Sequence, residues 1–231
     1  MAMKKVLTFI ISFCLLALTI NAQQVNQTDK NGLKQGRWEK TYTNGAIRYQ
    51  GQFRNDKPYG EFKYFYPDGK LKSIVRYRKK GEDAYVKSFQ FNGKPLAEGK
   101  FVHQKKDSLW RYYSDLDGKL VATENYKNGI KDGQSISYYP ENGKPVEIIT
   151  YKKGLKWGPW KKFFPDGKLS QEGFYVKDTL NGNFHVFFVG GKLQMQGAYE
   201  KGLQNGLWIF YDSTGKVIRK KVFHLGIAGK K

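Results

Sequence analysis

The chain has 231 residues, 41 Lys and Arg against 20 Asp and Glu, a formal net charge of +21 and one cysteine. A charge this large points either to an acidic partner or to a solvated array whose turns happen to carry lysine. A single thiol excludes a disulfide framework, so packing and backbone pairing alone must hold the fold.

Met1 to Lys5 is a short basic start, Val6 to Ile20 is an almost unbroken apolar run, and Ala22 precedes a polar stretch. This is the layout of a secretory signal peptide over residues 1–22. The run has about 15 residues, against the ~20 that span a bilayer as a helix. An uncleaved anchor is the alternative reading. Cys14 lies inside the run rather than at its end, so lipidation is rejected and the mature chain has no thiol. Without Lys4 and Lys5 the 41 basic residues fall to 39 against 20 acidic ones, a net charge of about +19. The expected destination is the periplasm, the outer surface or the medium.

A lead-in (23–35) precedes a tandem array (36–226), and a tail (227–231) follows it. Residues 24–31 and 226–231 read as loose ends. The array is marked by Gly45, Gly69, Gly93, Gly118, Gly143, Gly167, Gly191 and Gly215, spaced 24 or 25 residues apart. Eight residues after each stands an aromatic: Phe53, Tyr77, Phe101, Tyr126, Tyr151, Tyr175, Tyr199 and Phe223. With aromatics at 16% of the chain, eight of eight is not chance, and a fixed period means repeats.

Each unit holds two runs rich in aromatic and β-branched residues around Pro-Asp-Gly, Asn-Gly, Asp-Gly or Gly-Gly. A second turn closes the unit: Asn55-Asp56, Lys80-Gly81, Asn128-Gly129, Lys153-Gly154, Lys177-Asp178 or Lys201-Gly202. The next strand opens on Gly36, Gly60, Gly133, Gly158, Gly182 or Gly206, with Ala84 and Ser108 departing. Both connections are short, so consecutive strands should pair antiparallel. The expected fold is all-β: an elongated, twisted antiparallel β-meander of about eight tandem hairpins, about sixteen strands and roughly 75 Å long. A closed barrel is the alternative. The repeat with Ala84, Val86 and Pro95 matches least and is expected to form a bend or a bulge.

The core should be aromatic. Two residues into each unit stand Trp38, Phe62, Trp110, Trp160, Phe184 and Trp208, with Val86 and Ser135 departing. Adjacent aromatics such as Tyr138-Tyr139 point to opposite faces of a strand. One ladder is expected to be structural and the other a contact surface.

In these residues the chain resembles the MORN repeat family, and in particular a bacterial variant found in YwqK-type antitoxins. The carrying pattern is Gly-x-(Trp/Phe)-x-x-(Tyr/Phe)-(Tyr/Phe)-x-x-Gly-Lys-Leu, then Gly-x-(Tyr/Phe) and Asn/Lys-Gly. It is clearest at Gly60, Gly158, Gly182 and Gly206 and extends over about residues 31–226. The resemblance implies a hairpin array that acts as a scaffold, binds proteins and in some members associates with lipid. The antitoxin variant implies a toxin-like partner.

Lys70, Lys94, Lys119, Lys144, Lys168, Lys192 and Lys216 form a row at the hairpin turns, with Ala46 in the first repeat. They suit an anionic partner, or they keep the ribbon soluble and its edges apart. Together with Tyr66, Tyr113, Tyr138, Phe163, Phe187 and Tyr211 they are the candidate partner-binding residues. His103, His185 and His224 stand in different repeats, and no Cys or Asp/Glu cluster has ligand spacing. No Gly-x-Ser-x-Gly occurs. Glu98, Glu124 and Glu172 read as cross-strand partners for Lys or Arg. No metal, cofactor or catalytic residue is expected, and export argues against nucleic acid. The expectation is a non-catalytic exported scaffold binding a protein partner. The alternative is an envelope-associated protein that holds anionic glycan or lipid head groups.

Overall fold

The computed structural model describes residues 24–78 and 82–229; the expected signal segment and the Lys80-Gly81 turn lie outside the described residues. The described residues form nineteen strands and no helix. Eight hairpins follow the eight repeats: Lys34–Thr41 with Ile47–Arg54, Lys57–Phe65 with Leu71–Arg78, Asp83–Phe89 with Pro95–Val102, and Lys105–Tyr113 with Leu120–Lys127 in the first half. Ile130–Tyr138 with Pro145–Lys152, Leu155–Phe163 with Leu169–Val176, Gly182–Phe187 with Leu193–Glu200, and Leu203–Tyr211 with Val217–His224 form the second half. The seventh hairpin has an extra piece, Thr179–Leu180, separated by Asn181, whose N–H donates to the Phe174 carbonyl at 2.9 Å. Two ends that read as loose are paired. Gln27–Thr28 lies against the first hairpin and Ile227–Ala228 against the last.

Strands pair antiparallel with their sequence neighbours, and among the described residues no ladder joins the first hairpin to the last. The sheet is therefore open, not a barrel. All eight marker glycines take left-handed φ, between 69 and 96°, where a Cβ would be strained. Apart from the stretch between Arg78 and Asp83, the connections between repeats are two-residue turns with both residues left-handed, as at Asn128-Gly129 and Lys201-Gly202. Each knits to the repeat before it. The N–H groups of Gly129, Gly154 and Gly202 donate to the carbonyls of Lys106, Lys131 and Leu180 at 2.7 to 2.9 Å.

Between most repeats the incoming strand carries a bulge. Gln50 and Gln52 face Lys63 and Tyr59, so two extra residues arch out around Gly60. The arching residue needs positive φ, which glycine supplies at no steric cost. Ser108 takes the same conformation, φ 59°, without being glycine. The third repeat corrects an expectation. With Ala84 in the glycine slot its ladder to the second repeat has no bulge and runs unbroken from Ser73↔Ser88 to Arg78↔Asp83, while its own hairpin keeps the register shift at Ser88/Phe89, beside Pro95, that every hairpin shows near its turn. In the chain, four residues separate Arg78 from Asp83 here, against two at the other junctions between repeats.

The aromatic core lies on one face. Phe62, Trp110, Trp160, Phe184 and Trp208 are buried, and Trp208 is 0% exposed. The second-strand aromatics interleave with them edge-on. Phe53–Phe62 and Phe62–Tyr77 have centroids 5.2 Å apart, as do Phe184–Tyr199 and Tyr199–Trp208. This geometry suits the ring quadrupole and adds to the area buried. The rings fit because the preceding repeat offers a glycine beneath them. A Cβ on Gly51 would lie 2.3 Å from Phe62, on Gly99 2.4 Å from Trp110, and on Gly197 2.2 Å from Trp208. Where the ring is missing, so is the glycine: Val75 pairs with Val86, and Glu124 with Ser135. Ile149 opposite Trp160 is the exception.

Candidate binding surface

The seven turn lysines all follow a hairpin-turn glycine; six are exposed and Lys94 is half-buried. Six of their turns are built alike, with an Asn or Asp carbonyl or carboxylate oxygen accepting the lysine's own backbone N–H, as at Asp68–Lys70 and Asn142–Lys144; the Gly190-Gly191 turn before Lys192 has no such side chain. The ammonium groups then alternate. At Asp-Gly turns the lysine pairs with its own aspartate: Lys70–Asp68 and Lys119–Asp117 at 3.1 Å, Lys168–Asp166 at 3.4 Å. At Asn-Gly and Gly-Gly turns it reaches the next repeat: Lys94 to Leu116 O, Lys144 to Asp166 O at 2.6 Å, and Lys192 to Thr214 O at 3.1 Å. The backbone N–H of Lys119 and of Lys168 is the main reason that Asp117 and Asp166 stay below the usual carboxylate range. Three of the seven are thus locally neutralised, and three serve as mortar between turns.

The candidate aromatics are all half-buried. Tyr66 OH donates to the Phe89 carbonyl at 3.0 Å, and Tyr42 and Tyr139 make the same bridge to Phe65 and Phe163. Tyr113 donates to Glu98 at 2.9 Å; burial and that carboxylate push its phenol up to about 12. Tyr138 meets the Thr123 hydroxyl at 3.2 Å, and Tyr211 accepts from Gln196 at 2.8 Å. Phe187 lies 6.2 Å from the His185 ring. The polar tips of these side chains are engaged within the sheet, which leaves only parts of the rings for contact. Of the three glutamates, Glu98 faces Arg111 at 3.8 Å and Glu124 faces Lys131 at 2.5 Å. Glu172 pairs with His185 at 3.0 Å instead of with Lys or Arg.

Strand alternation gives the sheet a second face, whose character changes along the array. In the first two repeats it carries Arg37, Glu39, Glu61, Lys63 and Arg76, with ion pairs Arg37–Glu39 at 2.5 Å and Arg76–Glu61 at 3.0 Å. In the last three it carries Phe174, Leu207, Ile218 and Val222, which are 40%, 50%, 64% and 57% exposed. Leu207 and Val222 are direct cross-strand partners. Reading rows of like residues misses this patch. The signal is in the residues flanking each core ring, which strand alternation must send outward.

At Ser135 the missing ring is replaced by a polar network on the core face. Lys106 donates to Tyr112 OH at 2.7 Å; Tyr112 and Tyr126 hydroxyls lie 3.3 Å apart; Tyr126 donates to Glu124 at 2.5 Å. Lys131 closes the chain on Glu124 and sits 5.1 Å from the Tyr151 ring centre. Burial alone would raise the Glu124 carboxyl, but the Lys131 and Tyr126 hydrogen bonds outweigh it and hold it below the usual range. Burial opposes the Lys131 charge too, and the same carboxylate overrules it, so the ammonium titrates above its ordinary value.

Eight stacked hairpins, each bonded to its neighbours through turns and rings, define a β-hairpin repeat protein. The profile of the family described as MORN repeat variant matches four times, at residues 58–79, 131–153, 158–177 and 204–224. Those four segments are MORN repeats of this variant type. No curated protein matches the chain. Among solved structures, a mutant of TarM from S. aureus, in complex with Fondaparinux, alpha-GlcNAc-glycerol and UDP, shares 17% identity at a TM-score of 0.32. A second TarM structure shares 18% at 0.30. Each match covers 42% of this chain, and the chain spans about a fifth of those proteins, 19% and 20%. Likeness at that level bears no functional weight.

Proposed function

We propose that this protein is an exported, non-catalytic binding scaffold whose last three repeats hold a protein partner on the face opposite the ring core. MORN repeats are consistent with a binding scaffold. The observation that carries the reading is the exposed apolar group of Phe174, Leu207, Ile218 and Val222 on an otherwise basic protein. Leu207 and Val222 adjoin across the ladder, and exposed apolar side chains grouped on one face mark a contact surface, since water penalises leaving them open. The lysines of the turn edge steer an acidic partner toward the sheet. The antitoxin variant of the family points to a toxin-like partner.

The experiment is a pull-down with protein from Gln24 onward against envelope and secreted material of the same cells. A partner anchored on this face is retained at high salt by the wild type and lost by Leu207→Ser/Val222→Ser, while Lys144→Gln/Lys168→Gln retains it. Equal capture by the serine variant overturns the reading.

A second reading rests on the one-edge placement of Lys70, Lys94, Lys119, Lys144, Lys168, Lys192 and Lys216: a row of cations for anionic glycan or lipid head groups. It expects capture at low salt only, because exposed charges are screened, and loss in the lysine variant.

A further inference from the structure

The row of core rings is interrupted twice, and the two gaps are treated differently. At Ser135 the Glu124–Lys131 pair and its tyrosines close it. At Val86 no described residue does. A cleft of about 390 Å³ opens there, walled by Tyr64, Val75, Tyr77, Ala84, Val86 and Phe101. Ser73, Glu82 and Gln104 are its polar lining.

The array itself shows what this space fits. Phe62 stands between Phe53 and Tyr77, edge-on to both, with centroids 5.2 Å away on each side. Trp208 stands between Tyr199 and Phe223 at 5.2 and 6.1 Å. One repeat on from Phe62, the flanking pair is Tyr77 and Phe101, and both are in place. Tyr77 is held edge-on by Phe62, and Phe101 by Trp110 at 4.9 Å. The walls of a ring slot are therefore preorganised by their outer neighbours, while the ring between them is a valine. This repeat also lacks the bulge of the others, and Ala84 stays in the ladder opposite Tyr77.

We propose that this cleft binds a small neutral aromatic molecule of one or two rings bearing an N–H or O–H donor. The rings of Tyr77 and Phe101 take the aromatic system edge-on. Val75, Ala84 and Val86 form the apolar floor. The Glu82 carboxylate and the Gln104 side-chain carbonyl accept the donor, which excludes carboxylate-bearing aromatics by repulsion. A few polar groups around an apolar hollow of this size is the ordinary composition of a ligand site. The proposal is independent of the apolar patch on the opposite face, and either can fail alone.

The test is a titration with indole, followed through the methyl NMR signals of Val75, Ala84 and Val86, with cyclohexanol as a non-aromatic control of similar size. Saturable shifts at these methyls are expected for indole, with Kd on the order of 1 mM for so few atoms. Phe101→Leu, which keeps bulk but removes the ring, is expected to weaken binding roughly 3- to 10-fold. Val75→Gly/Val86→Phe restores the glycine-and-ring pairing found at Gly51 and Phe62, and is expected to abolish binding. The proposal is overturned if indole gives no saturation, if cyclohexanol binds equally well, or if Phe101→Leu binds as the wild type does. Because Phe101→Leu leaves the floor of the cleft intact, it decides the matter even if the double variant does not fold.

Discussion

Gly197→Ala separates ring packing from backbone preference by sign alone. Gly197 lies in a strand without left-handed φ, where alanine is normally better than glycine by about 0.5–1 kcal/mol. The new Cβ, however, would stand 2.2, 2.4 and 2.6 Å from three Trp208 ring atoms. Carbon pairs settle at about 3.5–4.0 Å, so the indole must retreat by about 1.3 Å. It has nowhere to go, because it is fully buried between Phe184, Tyr199 and Phe223. Overpacking of this kind costs typically about 1–3 kcal/mol, and a rigid ring stack belongs at the upper end, so we expect about 2–3 kcal/mol of destabilisation. In a repeat array the loss should be local. The assay is urea unfolding with hydrogen exchange resolved over repeats seven and eight. The same alanine should be at least about 1 kcal/mol cheaper on a Trp208→Leu background, since the double-mutant cycle isolates the contact. If Gly197→Ala proves neutral or stabilising, or if the two substitutions are additive, the glycine-and-ring account is wrong.

Three further outcomes follow from local geometry. Ser108→Gly should stabilise by about 0.5–1 kcal/mol, because Ser108 is held at φ 59°, whereas Ala84→Gly, in an ordinary strand conformation, should destabilise by a similar amount; thermal melts of both decide. Trp208 has a buried indole N–H without a partner, while that of Trp110 donates to Lys100 O at 3.0 Å. Trp208→Phe should therefore cost about 1 kcal/mol less than Trp110→Phe, and equal losses in urea unfolding would contradict this. For Glu124 the folded pKa is depressed, so its contribution is present above the unfolded value, about 4.3, and is lost as pH falls through the folded one. Lys131 is raised, so its contribution is present below its ordinary value, about 10.4, and fades above it. Stability should thus fall with acid below about pH 4.3 and with alkali above about pH 10.4, and Glu124→Gln should flatten the acid limb of a urea-midpoint profile. An unchanged limb would remove Glu124 from the explanation.

Hairpin number, turn positions and the buried Trp/Phe row are legible in the sequence because each depends on local chemistry: glycine where φ is positive, alternation where one face is buried. The bulges are not, since a two-residue excess opposite Gly60 looks in sequence like a strand opening on glycine. The third repeat misleads for the same reason: Ala84 signals the loss of a bulge rather than the gain of one. Lys70 to Lys216 are visible as a row, but their alternation follows from whether Asp or an uncharged residue precedes the turn glycine, a pairing easily overlooked beside the repeat itself. The Phe174–Leu207–Val222 patch is hidden because its positions are polar in most repeats: Phe174 and Val222 both directly precede the second-strand aromatic, where the first five repeats carry Gln52, Arg76, Lys100, Asn125 and Thr150. The charged chain from Lys106 to Lys131 depends on contacts between repeats four and five that no single unit displays.

The pairing of each core ring with the residue beneath it also acts as an address. Repeats of nearly identical length invite a strand to dock one unit too far along, within the same chain or with another copy. A slip of one unit would bring Val75 under Trp110, where Gly99 now lies, and would leave Gly99 beneath Ser135 with an empty cup. Gly51 would face Val86, and Glu124 would meet the Trp160 indole. Each error either crowds or hollows the stack, so the irregular members of the array carry its order. A perfectly uniform version of this chain would stack as well in any frame, and would have no means of telling the third repeat from the seventh.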